Sequence, residues 1–288
     1  AFVDRQIPAM LVGPIKQDFN LSDSQMALLL GAAFSVSYAL MALPIGYAVD
    51  RLRRKDVLGS ALLVWSCMTL SAIFANSYAK LFGVRMGVAA GDAAFAPSSV
   101  SLVGDSFAEA ERGRALGMTT AGIYIGVGIS FWGGGALIDY LTAIGGLTIP
   151  IVGYVKPWQA VFLMSGIPGL LLALAVFLLP EPPRAIATTQ RQNNSVRSEL
   201  RAHLTAHRVT LGLMFGGLIF MALIFYSFAA WAPSMMVRTF GLSIAEVGKS
   251  LGVITIISSI AGTIVAGMSV GWLSKKGYRD APIRVAMC

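Results

Sequence analysis

The 288 residues are 56% apolar and 12% charged, with a mean hydropathy of +0.72 and a net charge of +8. Ordinary soluble domains carry about 25% charged residues, and runs of roughly 20 apolar residues recur here, so the composition excludes a large soluble core and predicts a polytopic helical membrane protein. The two cysteines, Cys67 and Cys288, give neither a disulfide framework nor a metal-ligand spacing.

Residues 1–14 read as the last part of a first membrane helix, preceded by no initiator Met and no basic leader. A polar turn carrying Lys16, Asp18, Asn20 and Asp23 follows. Apolar spans are then expected at about 25–49, 57–75, 80–104, 114–138, 159–179, 209–233 and 247–273. The chain ends where another span should begin. It is therefore expected to be a piece of a longer protein, with eight spans, the first incomplete, and the start of a ninth.

The cations are not scattered. The loops at 50–56, 105–114, 180–208 and 274–284 hold fifteen of the 22 Lys and Arg residues, and these loops alternate to one side. The positive-inside rule places that side in the cytoplasm. This distribution also accounts for the +8 charge without nucleic acid as a partner. Within 180–208, Pro-Glu-Pro-Pro-Arg stops the sixth span and a polar linker follows. Residues 195–208 could form a short amphipathic helix on the membrane surface. His203 and His207 stand four apart there with no third ligand near, which reads as a solvated basic face.

After the second span comes Gly46-Tyr-Ala-Val-Asp50-Arg51-Leu-Arg-Arg54-Lys55. This G-x-x-x-D-R-x-x-R-[RK] spacing resembles the signature loop between helices 2 and 3 of the major facilitator superfamily. The resemblance implies an all-α fold of two six-helix bundles and assigns the loop to a cytoplasmic gate. Gly46 would allow close helix approach, and Asp50 would cap a facing helix end. Arg51 or Arg54 would pair with Asp105 or Glu109. An internal repeat agrees with two bundles: Phe19-Asn-Leu-Ser22 opens the second span and Phe240-Gly-Leu-Ser243 the eighth. The basic loop recurs as Gly271-Trp-Leu-Ser-Lys275-Lys-Gly-Tyr-Arg, with Lys275 where Asp50 stands in the first copy. The division expected is a first bundle at 1–180, a linker at 181–208 and the opening of a second bundle at 209–288.

Asp4, Arg5, Arg85 and Asp92 lie inside spans, where an ionisable side chain costs about 2.5–3.5 kcal/mol. At 1.5 Å per residue, Asp4 lies about 15 Å from the turn at Pro14 and Asp92 about 18 Å from Lys80. Both acids thus reach the middle of a ~30 Å hydrocarbon core. Arg85 and Asp92 are two turns apart on one helix face. The four are expected to meet in one cavity as a substrate and proton site. An arginine would hold an anionic head group bidentately, and a carboxylate would load and release a proton as its surroundings change.

Asp4-Arg5-Gln, the run Pro-Ile-Lys-Gln-Asp-Phe-Asn-Leu-Ser-Asp-Ser-Gln, and Arg85-Met-Gly-Val-Ala-Ala-Gly-Asp92 resemble the spinster-like branch of that superfamily. So do Lys156-Pro-Trp-Gln-Ala-Val-Phe and the Pro-Glu-Pro after the sixth span. The resemblance covers 1–183 most fully. It implies proton-linked carriage of amphiphilic solutes, with Asp4, Arg5 and Arg85 in charged-site roles. Asp92 holds a position that is usually Glu in that branch.

Helix 5 is glycine-rich, and Gly122-x-x-x-Gly126 is a close-packing motif. With no strand before the glycines and no Lys-Ser/Thr after them, they do not form a nucleotide cradle. Phe34, Tyr38 and Tyr124 are candidate cavity-lining aromatics. The expected function is a secondary transporter of a small amphiphilic or organic-anion solute, monomeric, in the plasma membrane (inner membrane if bacterial). Its energy source is a proton gradient, with no cofactor. Alternatives are a proton-driven multidrug exporter, an organic-anion symporter, or a membrane receptor or scaffold. An intramembrane enzyme is disfavoured, because both histidines lie in the linker and no metal cluster falls in a span.

Overall fold

The structure, a computed structural model, describes residues 2–150, 152–183, 201–278 and 280–286. The first span comprises α1 (Phe2–Met10) and α2 (Val12–Phe19). Pro14 was expected to end this helix. It falls instead in the first turn of α2, where a missing N–H removes no intrahelical bond, and the helix continues to Phe19. The second span, α3 (Asp23–Arg51), includes a π turn at Leu28–Ala32. α4 (Arg54–Ser71) follows. The fourth span is broken into α5 (Tyr78–Asp92) and α6 (Phe95–Ser106). Pro97 accounts for the interruption, since it cannot donate to the carbonyl of Ala93.

Then come α7 (Glu109–Ala143), a hairpin of β1 (Leu147–Ile149) with β2 (Gly153–Val155), and α8 (Pro157–Leu178). α9 (Arg208–Phe240), α10 (Ile244–Lys275) and α11 (Ala281–Ala286) complete the order. Among the described residues, seven helical stretches are long and apolar enough to cross a membrane. They match the seven later spans expected from hydropathy. The linker prediction falls mostly on 184–200, outside the described residues. Residues 201–206 are helical, and the His203 and His207 rings lie 4.5 Å apart.

The repeat seen in the sequence is also a repeat of local geometry. Asn20 (φ 50°) and Gly241 (φ 65°) both end the preceding helix in the left-handed conformation. Ser22 then caps Gln25, and Ser243 caps Glu246, each through a reciprocal capping box. One four-residue phrase thus reverses the chain twice.

A core of Leu11, Ile15, Met26, Leu29, Trp65, Leu81, Ile138 and Trp158 joins the helices before α9. Large apolar side chains such as Leu43, Leu178, Ile224 and Met268 are exposed. That pattern suits lipid rather than water around the bundle. The loops at 50–56 and 105–114 and the segment at 181–183 gather at one end, called here the basic end. α9 and α10 touch the earlier helices through the halves remote from it. Ala229, Ala232, Ser234, Val247, Gly248 and Gly252 are buried, whereas residues 213–228 of α9 and 257–275 of α10 are almost entirely exposed or half-exposed.

The contact between α7 and α10 depends on glycine. A Cβ on Gly252 would overlap the Gly128 carbonyl and Trp132, and one on Gly135 would strike the Ile244 carbonyl and Gly248. Gly122, expected to be the packing residue with Gly126, has nothing within 4 Å of a Cβ. The close approach therefore lies farther along α7, because α10 leaves its side beyond Gly128.

Candidate functional site

Asp92 closes α5 just before the break, and Arg85 lies two turns earlier on the same face. Both are buried, as is Asp4 in α1. Arg5 Nη1 lies 3.6 Å from Asp92 Oδ2. The Arg5 guanidinium carbon is 4.5 Å from the Phe34 ring centroid and 4.6 Å from that of Tyr226. Arg85 approaches the same Phe34 ring at 5.4 Å, and Phe34 stacks on Tyr38 at 6.1 Å. Two acids and two bases are thus gathered in one neighbourhood, with Arg85 about 10 Å along the helix from Asp92.

Arg5 and Arg85 line a cavity of about 530 Å³ with Gln6, Phe34, Tyr226 and Trp231. α3 and α9 form its facing apolar walls, through residues such as Leu30, Gly31, Ile219 and Leu223. The π turn of α3 supplies Leu30 and Gly31 at this wall. Asp4 and Asp92 are not among the lining residues. They stand behind the arginines, deeper in the first group of helices. Asp4 Oδ1 is fully buried with no hydrogen-bond partner, although the Ser165 hydroxyl and Trp65 indole face that carboxyl group. Arg85 Nε is also without one. Such groups bear a desolvation cost, which marks this interior as polar by design rather than by packing.

Phe34 lines the cavity as expected, Tyr38 supports it from behind, and Tyr124 is not among the lining residues. Tyr226 and Trp231 were not anticipated. The signal available was a polar aromatic about 21 Å before the end of α9 at 1.5 Å per residue, the same depth argument applied to the charges. Among the described residues no group of three His, Cys, Asp or Glu side chains converges as a metal site.

At the basic end, Arg54 is 2% exposed. Its Nε donates to Glu181 Oε1 at 3.0 Å, its Nη1 to Asp105 Oδ2 and to Ser101 Oγ (3.2 Å), and its Nη2 to the Pro182 carbonyl at 2.8 Å. The Arg54 and Lys55 backbone N–H groups close on the two Glu181 oxygens at 3.1 and 3.0 Å. Burial raises the Glu181 pKa, but the Lys55 and Arg54 donors outweigh that effect and hold it below the usual glutamate value. The Arg54–Asp105 pair was expected, and Glu181 was missed. All these partners belong to α4, α6 and the segment just after α8. The cluster braces one group of helices and does not span the cavity as a gate. Arg51 stacks on Tyr47 at 4.2 Å, Asp50 is exposed, and a Cβ on Gly46 would meet open space. The Glu109 side chain lies outside the described residues.

Two polar contacts that cross between halves lie at the opposite end. Asp23, at the start of α3, accepts from Lys16 Nζ at 2.7 Å and from Arg238 at the end of α9. Asp139 Oδ2 on α7 accepts from the Ala245 N–H at 3.1 Å, capping the first turn of α10.

Comparison with known proteins gives three results. The profile described as Major Facilitator Superfamily matches residues 1–288. An "MFS-type efflux pump" of Mycolicibacterium smegmatis is 27% identical over 282 residues, 96% of this chain and 61% of that protein. A "hexuronate transporter" of Bacillus subtilis is 26% identical over 94% of this chain and 60% of its own length. The chain thus spans about three fifths of the length of these two relatives. Among solved structures, a bacterial homologue of the human lysosomal transporter Spinster, crystallised inward-facing and unoccupied, is similar to this chain. That likeness has a TM-score of 0.77 with 28% identity, covering 96% of this chain and 60% of that one.

Proposed function

Because the chain belongs to the Major Facilitator Superfamily, we propose that the intact protein is a proton-coupled secondary transporter for a small amphiphilic or organic anion. The observation that carries this reading is the Arg5–Asp92 pair at the wall of a cavity formed jointly by α3 and α9. In it an anion would meet Arg5 and Arg85, while its apolar part would lie against Phe34, Leu223 and Trp231. An arriving anion competes with Asp92 for Arg5. Protonation of Asp92 removes that competition, so proton and solute occupancy become linked. Asp4, shielded behind Arg5, is the second proton acceptor in this scheme. The solute is carried and not transformed.

The basic end faces the cytoplasm in this reading. The closed contacts at Asp23 and Asp139, at the end remote from the basic loops, support a carrier open inward, in line with its similarity to the inward-facing Spinster homologue. Rocking the two bundles about the midplane site would expose it alternately. The apolar lining also suits a proton-driven exporter of amphiphilic compounds, as the named efflux pump suggests.

The test is gradient-driven uptake of glucuronate and of butyl phosphate by the full-length protein in proteoliposomes. Wild-type flux that follows the proton gradient, lost with Asp92→Asn, supports the reading. PH-driven transport unchanged in both Asp92→Asn and Asp4→Asn would remove the proton role. Anion flux unchanged in Arg5→Leu would remove the anion site.

A further inference from the structure

Arg5 is held by rings from both halves of the molecule. Phe34 comes from α3 and Tyr226 from α9, at 4.5 and 4.6 Å from the guanidinium carbon. These are stacking distances, and a guanidinium over an aromatic face is attracted by the ring quadrupole. Arg5 also has its Nη1 directed at Asp92. A ring stacked on a guanidinium covers a face of it. An anion in the cavity must then meet it in the guanidinium plane, through N–H groups arranged as a fork.

We propose that Tyr226 is a positioning residue that sets the plane of Arg5, and that this makes the site selective for anions with two coplanar oxygens. The proposal rests on the anion-transport reading above. A carboxylate or a phosphate monoester offers two oxygens at the spacing of the fork and is bound bidentately. A spherical anion gains nothing from the fixed plane. Without the ring from α9, Arg5 keeps Phe34 and Asp92 but can tilt, and the geometric preference falls while the charge remains. The phenol hydroxyl has no part in this, so Phe should serve as well as Tyr. Tyr226 is 44% exposed at the cavity wall, so replacing it opens no buried void.

The experiment uses the full-length protein in lipid nanodiscs and titrates butyl phosphate and iodide by calorimetry, with melting temperature as a fold control. Wild type should prefer butyl phosphate. Tyr226→Leu should weaken butyl phosphate about tenfold and leave iodide within about twofold, while Tyr226→Phe keeps the wild-type ratio. Phe34→Leu, removing the partner ring, should shift the ratio in the same direction. An unchanged ratio in Tyr226→Leu, or equal weakening of both anions, overturns the proposal. If Arg5→Leu abolishes phosphate binding and Tyr226→Leu does not alter it, the anion site stands and the positioning role falls. Wild type that ignores butyl phosphate sinks both.

Discussion

Arg238 grips Asp23 with both terminal nitrogens, Nη2 to Oδ1 at 2.8 Å and Nη1 to Oδ2 at 3.1 Å, tying the end of α9 to the start of α3. Lys16 adds a third charge to the same carboxylate. Exposed pairs are individually weak, but this one lies where the two groups of helices meet, so its loss biases a conformational balance and not merely local order. With Cys67 and Cys288 replaced by Ser, a reporter at Ser234→Cys, which is 9% exposed between the halves, should react slowly with maleimide. Arg238→Gln is expected to raise that rate about threefold. An unchanged rate would mean that the pair does not restrain opening.

Arg54 uses all three guanidinium nitrogens on different partners. Lysine, a point donor on a flexible stem, cannot reproduce that fork. Arg54→Ala leaves Asp105 and Glu181 facing each other and should destabilise the solubilised protein by about 3 kcal/mol. Arg54→Lys should recover less than half of the loss in thermal denaturation. Full recovery by Lys would reduce the brace to simple charge balance.

Glu181 gives the brace a pH limit. Its folded pKa is depressed, so its contribution is complete above the ordinary value of 4.5 and is lost as pH falls through the lower folded value. Glu181→Gln should therefore lower the melting temperature near neutral pH and converge with wild type in acid. Parallel curves at all pH values would contradict the assignment.

The glycines of α7 are expected to differ sharply. Gly135→Leu must push α10 away from a backbone contact and should cost about 1–3 kcal/mol, whereas Gly122→Leu projects into open space. Melting temperatures of the two variants decide this directly. Equal losses would show that Gly122 packs against something in the protein after all.

Asp92 is one methylene shorter than the Glu usual in the spinster-like branch, and its oxygen lies 3.6 Å from Arg5. Asp92→Glu should bring the carboxylate into direct hydrogen-bond range, tightening the pair and weakening anion binding at fixed pH. Unaltered or improved binding would argue that Asp92 and a ligand do not compete.

Much of this was legible beforehand. Long apolar runs located the seven later spans, and residue counts from the span ends placed Asp4 and Asp92 near one depth, with Arg85 on the helix face of Asp92. Those inferences rest on helix rise and dielectric cost, which act locally. What could not be read was which faces meet. Gly122 and Gly126 carry the packing motif, yet α10 meets α7 farther along, because helix pairing is decided by three-dimensional register. Glu181 follows a Pro in what looked like a stop signal, and its partner lies 127 residues earlier. Tyr226 sits among other aromatics of α9 with nothing in its neighbours to single it out. Breaks were half visible: Pro97 is in the sequence, but that it would interrupt α5–α6 beside Asp92 depended on the fold.

The π turn at Leu28–Ala32 has a consequence for insertions and deletions. It gives α3 one residue more than regular α-helical winding would need, and each residue is worth about 100° of rotation at 3.6 per turn. Before it, Met26 faces the core, as Leu29 does within it; after it, Phe34 stands over Arg5. Removing a single residue there would restore an ordinary helix and turn everything downstream, Phe34 and the whole Gly46–Lys55 loop included, to another bearing. The placing of Phe34 over Arg5 thus depends on chain length at a turn that ends two residues before it.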